Sequence, residues 1–311
     1  MIKITKQAYN AIGVMSGTSL DGLDIAHCTL TFENEKWSYL IGPAETIPYS
    51  DEWRQKLLSL ETCDGLTFAQ TNMDYGFYIG ARVAEFMEKH NLEVDFVASH
   101  GHTIFHQPDR KLTVQVGAGA AIAAKCRRTV VFNFRETDVA IGGQGAPLVP
   151  IGDKLLFADY DYCLNIGGFA NVSYDHQGQR IAYDICPANI VMNAICEQIG
   201  LPYDDQGKLA RQGMVSHPLL NDLNQPGHYK QAPHVPKSLG KEWVLKNIYP
   251  VIDQYELSEN DLLRTFCEHI AIQISKALSG QPAGKILVTG GGAYNTFLMD
   301  CIKSHCPQQV I

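Results

Sequence analysis

The 311-residue chain has no C-x-x-C pair, no run approaching eighteen apolar residues and no G-x-x-x-x-G-K-[ST] loop. Each absence removes a class of protein. Nine scattered cysteines, odd in number, leave neither a disulfide framework nor a structural zinc site and suit the reduced thiols of a cytosolic protein. The opening M-I-K-I-T-K-Q-A-Y-N lacks the apolar stretch of a signal peptide, and no segment reads as a membrane span. Positive charge is also short. Lys and Arg number 25 against 33 Asp and Glu, a net charge of -8, which argues against a nucleic-acid surface or a basic membrane face. A phosphorylated ligand stays open, because backbone N–H groups alone can hold an anion. What remains is an ordinary globular balance, 45% hydrophobic and 19% charged, long enough for two domains or one large one.

Strand-like and helix-like segments alternate along the first part. Residues 11–15 and 23–32 read as strands around the loop S-G-T-S-L-D-G. Residues 51–61 and 66–90 have helical spacing, with Phe77, Ala81, Ala84 and Phe86 expected inward. Residues 94–98, 112–116 and 130–134 read as strands and 118–126 as a small-residue helix. The pattern predicts an α/β fold with mixed sheets. The glycine- and proline-rich stretch A-I-G-G-Q-G-A-P-L-V-P marks a junction or a site loop. It places an N-terminal domain over 1–140 and a C-terminal one over 141–311, to within about 15 residues.

Beyond the junction the opening theme returns: an apolar strand over 162–166, a Gly167-Gly168 loop, and further strands over 170–174 and 180–184. A weak repeat of strand, glycine loop and strand is what a duplicated, two-lobed fold would show. Residues 187–199 read as a helix with Pro187 in its first turn. Residues 202–241 read mostly as loop, 260–278 as an amphipathic helix, and 285–288 as a strand leading into T-G-G-G and a helix from about Ala293.

Several stretches carry more chemistry than their local structure requires. Glycines between two strands let backbone N–H groups approach a phosphate, so residues 16–22 suit an anion, and Asp21 at the tip suits a hydrated Mg²⁺; an ordinary polar hairpin is the plain alternative. Gly290, Gly291 and Gly292 end a strand and open a helix, a place for a nucleotide's close approach. Asp184 ends a strand before a helix and suits a general base, or equally a helix cap. His100, His102 and His106 do not have a strong zinc spacing and favour hydrogen bonding. Arg135 and Asp138 either pair to brace a loop or meet a ligand. Lys237, in P-K-S-L-G-K-E, either faces an anion or lies in a solvated loop.

Taken together and in order, G-V-M-S-G-T-S-L-D-G-L-D, S-H-G-H-T-I-F-H, F-R-E-T-D-V-A-I-G-G-Q-G-A-P-L-V-P, N-I-G-G-F-A-N-V, Y-D-D-Q-G-K-L-A-R-Q-G, P-K-S-L-G-K-E and T-G-G-G-A-Y-N resemble the anhydro-N-acetylmuramic acid kinases. The resemblance runs from residue 12 to about residue 300. It implies the two-lobed actin-like (ribonuclease H-like) ATPase fold of duplicated mixed sheets with flanking helices. It also implies a bacterial cytoplasmic enzyme, a homodimer, that uses ATP and Mg²⁺. Such enzymes open 1,6-anhydro-N-acetylmuramic acid with water and phosphorylate the freed 6-hydroxyl during cell-wall recycling.

By the same resemblance, Gly17, Thr18, Ser19, Leu20, Asp21 and Gly22 form the first phosphate loop, with Asp21 near the metal. Asn165, Gly167 and Gly168 form the second loop, and Gly290, Gly291 and Gly292 lie by the adenosine. Asp184 is the base that activates water, and His100, Thr103, Arg135 and Asp138 lie on the sugar side. Two departures stand out. Where the family reads D-T-G-P-G-N, this chain reads D-I-C-P-A-N from Asp184 to Asn189. Family members also continue into a further C-terminal helix, so either the chain is truncated or this element is missing, which would expose apolar surface. A non-catalytic nucleotide or muropeptide sensor and an acyl-phosphate kinase on the same scaffold are the rival readings.

Overall fold

The computed structural model describes residues 6–17, 20–231, 237–306 and 309–310. It divides into two units, residues 1–148 and 149–311, each with its own sheet and core.

In the first unit β1 (Ala8–Ser16), β2 (Gly22–Glu33) and β3 (Lys36–Pro48) form an antiparallel meander. The chain then crosses through α1 (Asp51–Ser59) and α2 (Gly65–Lys89) to β4 (Phe96–Gln107), which lies parallel to β1. The outer half of β4 pairs antiparallel with β5 (Leu112–Val116); its inner half pairs parallel with β6 (Thr129–Val131), reached through α3 (Gly119–Cys126).

Local chemistry accounts for these elements. Asp64 caps α2, accepting from the amides of Leu66 at 2.9 Å and Thr67 at 3.0 Å. Tyr75, Ile79, Val83 and Phe86 then fall on one buried stripe. The expected helix is there, but its phase is shifted: Phe77 is exposed, with the Lys125 ammonium 5.8 Å from its ring centre. Contact with α3 sets the phase. A Cβ on Gly76 would stand 2.6 Å from the Ala118 carbonyl oxygen, and one on Gly80 2.7 Å from that of Ile122, so this glycine edge must face α3.

The second unit repeats the plan. β7 (Tyr162–Ile166), β8 (Phe169–His176) and β9 (Gln179–Pro187) form a meander. β10 (Lys285–Thr289) lies parallel to β7, and β11 (Gln309–Val310) parallel to β10. Sheet orders β3-β2-β1-β4-β6 and β9-β8-β7-β10-β11 are therefore equivalent, three antiparallel strands followed by two parallel ones. This is the duplicated ribonuclease H-like arrangement that the resemblance implies. Helices α4 (Asn189–Glu197), α5 (Glu259–Ala277) and α6 (Thr296–His305) accompany the second sheet. Leu263, Phe266, Ile270 and Ile274 on α5 are wholly buried, each contributing about 1.5–3 kcal/mol by burial.

One expectation is corrected here and another refined. Pro187 closes β9 instead of opening a helix; α4 starts at Asn189, after a non-helical Ala188 at φ -134° and ψ -105°. The stretch 202–241, expected mostly as loop, also holds short helices at Lys208–Gln212 and His217–Leu223 before a third begins at Lys241. Asp204 starts the first of them by accepting from the amides of Leu209 at 2.9 Å and Ala210 at 3.0 Å. Such one-turn helices have too few residues for an apolar period to show.

Candidate functional site

In the first unit, β1 and β2 meet with Ser16 opposite Leu23, so the loop between them is a tight hairpin. The Leu20 amide donates to the Gly17 carbonyl at 3.2 Å, and Leu20 sits at φ 55°. Its carbonyl accepts from Arg54 Nε at 3.0 Å. Gly22 has no room for a side chain, as a Cβ would stand 2.7 Å from the Ile47 carbonyl oxygen. Asp21 is exposed at the tip, where one of its oxygens accepts from the Gly22 amide at 3.1 Å. Thr18 and Ser19 lie outside the described residues.

Beneath the hairpin, Ser16 is the centre of a buried chain of hydroxyls. Its Oγ accepts from the Tyr49 hydroxyl at 2.8 Å and lies 2.9 Å from His102 Nδ1, while the Tyr49 and Tyr75 hydroxyls are 2.5 Å apart. Burial pushes the His102 pKa down to about 4, so the ring is neutral and shares a single hydrogen bond with the Ser16 hydroxyl through Nδ1. The sequence reading of His102 as a hydrogen-bonding group passed over this specific tie to the hairpin.

His100 and Arg135 are brought together: Arg135 Nε donates to His100 Nε2 at 3.0 Å. An arginine can only donate, so the His100 proton sits on Nδ1 and goes to the Gly101 carbonyl at 3.0 Å. Burial and the Arg135 charge both hold His100 in its neutral form. Arg135 and Asp138 form no ion pair with each other among the described residues. Instead both grip Gly145, Arg135 Nη1 donating to its carbonyl at 2.6 Å and Asp138 accepting from its amide at 2.6 Å. Thr103 lies apart from them, its hydroxyl accepting from Gln115 Nε2 at 3.4 Å.

In the second unit the ends of β7 and β10 converge. Thr289 pairs with Asn165, whose Nδ2 donates to the Thr289 hydroxyl at 3.3 Å. The Gly167-Gly168 turn is fixed by backbone bonds: the Gly167 carbonyl accepts from the amide of Asn189, and the Gly168 carbonyl from those of Ala188 and Ile190. Gly290, at φ 83°, presses on the end of β7, where a Cβ would stand 2.6 Å from the Ile166 carbonyl oxygen; one on Gly292 would stand 2.3 Å from Ile166 Cγ2. Asn189 joins both turns, donating to the Ile166 carbonyl at 3.4 Å and lying beside Gly291. Next to them opens a cleft of about 810 Å³, lined in part by Asn189, Met192, Gly291, Tyr294 and Asn295, a size that suits a nucleoside.

Asp184 lies on β9 just before a bulge, the register shifting between Asn171↔Asp184 and Ala170↔Cys186. Bulges re-aim side chains at functional sites. Asp184 caps no helix, since the residue preceding α4 is Ala188 and it offers no side-chain bond. Its Oδ2 accepts from the Leu239 amide at 2.8 Å, and among the described residues Oδ1 accepts from none. Burial raises its pKa above the usual carboxylate value, and the Leu239 bond opposes that rise in part. The three departures from D-T-G-P-G-N, Ile185, Cys186 and Ala188, are all buried in the core of this unit, so the atoms that Cys186 and Ala188 add to the family's glycines pack inward.

Among the described residues no group of three or more His, Cys, Asp or Glu gathers as a metal site. A magnesium ion needs no such cage, since it keeps several waters and takes one or two carboxylates plus phosphate oxygens. The single exposed carboxylate of Asp21 fits that pattern. Among the described residues no helix is long and apolar enough to cross a membrane.

A family model for anhydro-N-acetylmuramic acid kinase matches residues 9–311. A curated protein of that name from Vibrio vulnificus is 36% identical over 316 residues, covering 96% of this chain and 83% of the relative. Its namesake from Francisella tularensis subsp. novicida is 33% identical over 326 residues, covering 96% and 85%. That from Bacillus cereus is 31% identical over 318 residues, covering 94% and 83%.

Proposed function

The chain belongs to the anhydro-N-acetylmuramic acid kinase family, and from it we propose an ATP-dependent kinase of cell-wall recycling. It opens 1,6-anhydro-N-acetylmuramic acid with water and phosphorylates the freed 6-hydroxyl, giving N-acetylmuramic acid 6-phosphate. The observation that carries the catalytic assignment is Asp184, half-buried, with one oxygen held by the Leu239 amide and a pKa raised by burial. A carboxylate so placed is more basic than one in water and remains oriented.

In the proposed reaction Asp184 takes a proton from water as the water oxygen bonds to the anomeric carbon. The bond from that carbon to O6 breaks, O6 bonds to the γ-phosphorus, and ADP leaves. Phosphoryl transfer asks mainly for positioning and charge neutralisation. Gly17 to Gly22 would hold one part of the phosphates and Asn165, Gly167 and Gly168 another, with the adenosine beside Gly290, Gly291 and Gly292 in the cleft near Asn189. A magnesium ion at Asp21 would neutralise phosphate charge. His100 and Thr103 would face the sugar, while Arg135 and Asp138 would shape that side by fixing Gly145. We place the enzyme in the cytoplasm as a homodimer. Nothing among these observations favours the sensor or the acyl-phosphate kinase.

Purified protein with Mg-ATP and the anhydro sugar is expected to yield the 6-phosphate by mass spectrometry; no product would overturn the proposal. Asp184→Asn is expected to lower kcat by about 10²–10⁴-fold with nucleotide affinity kept. Equal loss of both would refute the base assignment.

A further inference from the structure

Lys237 has partners within the chain that its sequence does not suggest. Its ammonium donates to the carbonyl oxygens of His228 at 3.2 Å and Gln231 at 3.4 Å, and it stands 5.1 Å from the centre of the Tyr183 ring. It forms no ion pair among the described residues. The partly buried cation is shared among two carbonyls and an aromatic face.

The backbone around this lysine meets the strand of the proposed base. The Asp184 amide donates to the Lys237 carbonyl at 3.1 Å, and two residues on, the Leu239 amide donates to Asp184 Oδ2 at 2.8 Å. From the other end of the same stretch, His228 Nε2 donates to the Asp184 carbonyl at 2.9 Å. Asp184 is therefore held through its amide, its carbonyl and its carboxylate. All three holds come from the stretch that the Lys237 ammonium staples together, because its own acceptors are the carbonyls of His228 and Gln231.

We propose, resting on the reading of Asp184 as the base, that Lys237 is a positioning residue: it pins the Leu239 amide on the Asp184 carboxylate and so fixes the aim and basicity of that group. Loss of the pin releases the one hydrogen bond among the described residues that favours the ionised carboxylate. Burial would then act unopposed, and the carboxyl would ionise at higher pH. Other titratable groups around Asp184 are His228, Cys186 on the same strand, and Lys276 of α5, which lines a small cavity with Tyr183, Ile185 and Lys237. Lys237→Met leaves Cys186 and Lys276 in place but removes a charge that helps hold His228 neutral, so the profile is repeated in a His228→Gln background, where a displaced acid limb reports on Asp184.

The test uses full-length Lys237→Met and Lys237→Arg with Mg-ATP and the anhydro sugar. Lys237→Met, which keeps the side-chain length but not the donors, is expected to lower kcat by about 10–100-fold and to move the acid limb of kcat/KM to higher pH. Nucleotide affinity is expected to stay as in the parent. Lys237→Arg keeps donors and a flat cation for the Tyr183 ring and is expected to recover most of the rate. An unchanged kcat and pH profile in a folded Lys237→Met protein would overturn the inference. So would an Arg variant that is folded, binds nucleotide normally and is as slow as the Met variant. If Lys237→Met does not fold, the Arg variant's profile decides alone. Asp184→Asn run alongside separates the two readings: an active Asn variant sinks the base itself, whereas an inactive one with a normal Lys237→Met sinks only the pin.

Discussion

The two glycine hairpins, 17–22 and 167–168, occupy equivalent places in equivalent sheets, each between the first two strands of the meander. They differ in what contributes most to their support. The first rests on side chains, a buried Tyr75–Tyr49–Ser16–His102 chain below it and Arg54 on its flank. The second rests on backbone, its carbonyls taking the amides of residues 188–190 and its strand end pressed by Gly290 and Gly292. Topology thus duplicates the position of a loop without duplicating what stiffens it. A side-chain network is lost by deleting one polar atom, whereas a backbone contact is lost only by adding atoms where none fit.

That contrast can be broken experimentally. The largest effect is expected at the backbone-supported hairpin. Gly290→Ala adds a Cβ at positive φ and against the Ile166 carbonyl, and should cost about 3 kcal/mol in chemical denaturation. A cost near that of a surface change would mean that the turn yields.

At the other hairpin His102→Leu leaves the Ser16 hydroxyl without its imidazole partner, for about 1–3 kcal/mol, and should weaken ATP binding more than sugar binding. An equal change in the two KM values would deny the tie between this network and the phosphate loop. The same substitution should alter the response to acid. The folded His102 pKa is about 4, below the ordinary value of 6.5. Between those values the unfolded chain takes up the proton and the folded one does not, so stability falls as pH drops through that window. His102→Leu should show a shallower fall there in urea titrations at a series of pH values. Tyr49→Phe is the smallest change, about 1 kcal/mol. Its coupling to Ser16→Ala in a double-mutant cycle should be clearly non-additive if the hydroxyl chain acts as one unit.

How far the sequence led differs by element. Long amphipathic helices and the core strands were legible, because their apolar period survives over many residues. β3 was not, since it is an edge strand interrupted by Gly42 and Pro43, with Leu40 and Ile41 exposed. α2 was legible in period but not in phase, because the partner helix that sets its inward side is over thirty residues away. Of the candidate site, the glycine turns and Asp184 could be named from their motifs. The partners of Asp184 could not, because Lys237, His228 and Leu239 are more than forty residues away in the chain.

By itself the sequence determined the class of the protein and the identity of its chemical groups: α/β, duplicated, glycine turns at strand ends, and one carboxylate of interest. Those follow from local propensity and residue type, which a linear string carries. Only the tertiary structure decided what each group leans on. It set the Lys237 ammonium on the carbonyls of His228 and Gln231, Arg135 and Asp138 on Gly145 instead of on each other, and His102 against Ser16. Each of these depends on which distant segments burial brings within hydrogen-bonding distance, and a desolvated donor or acceptor takes the partner that packing supplies.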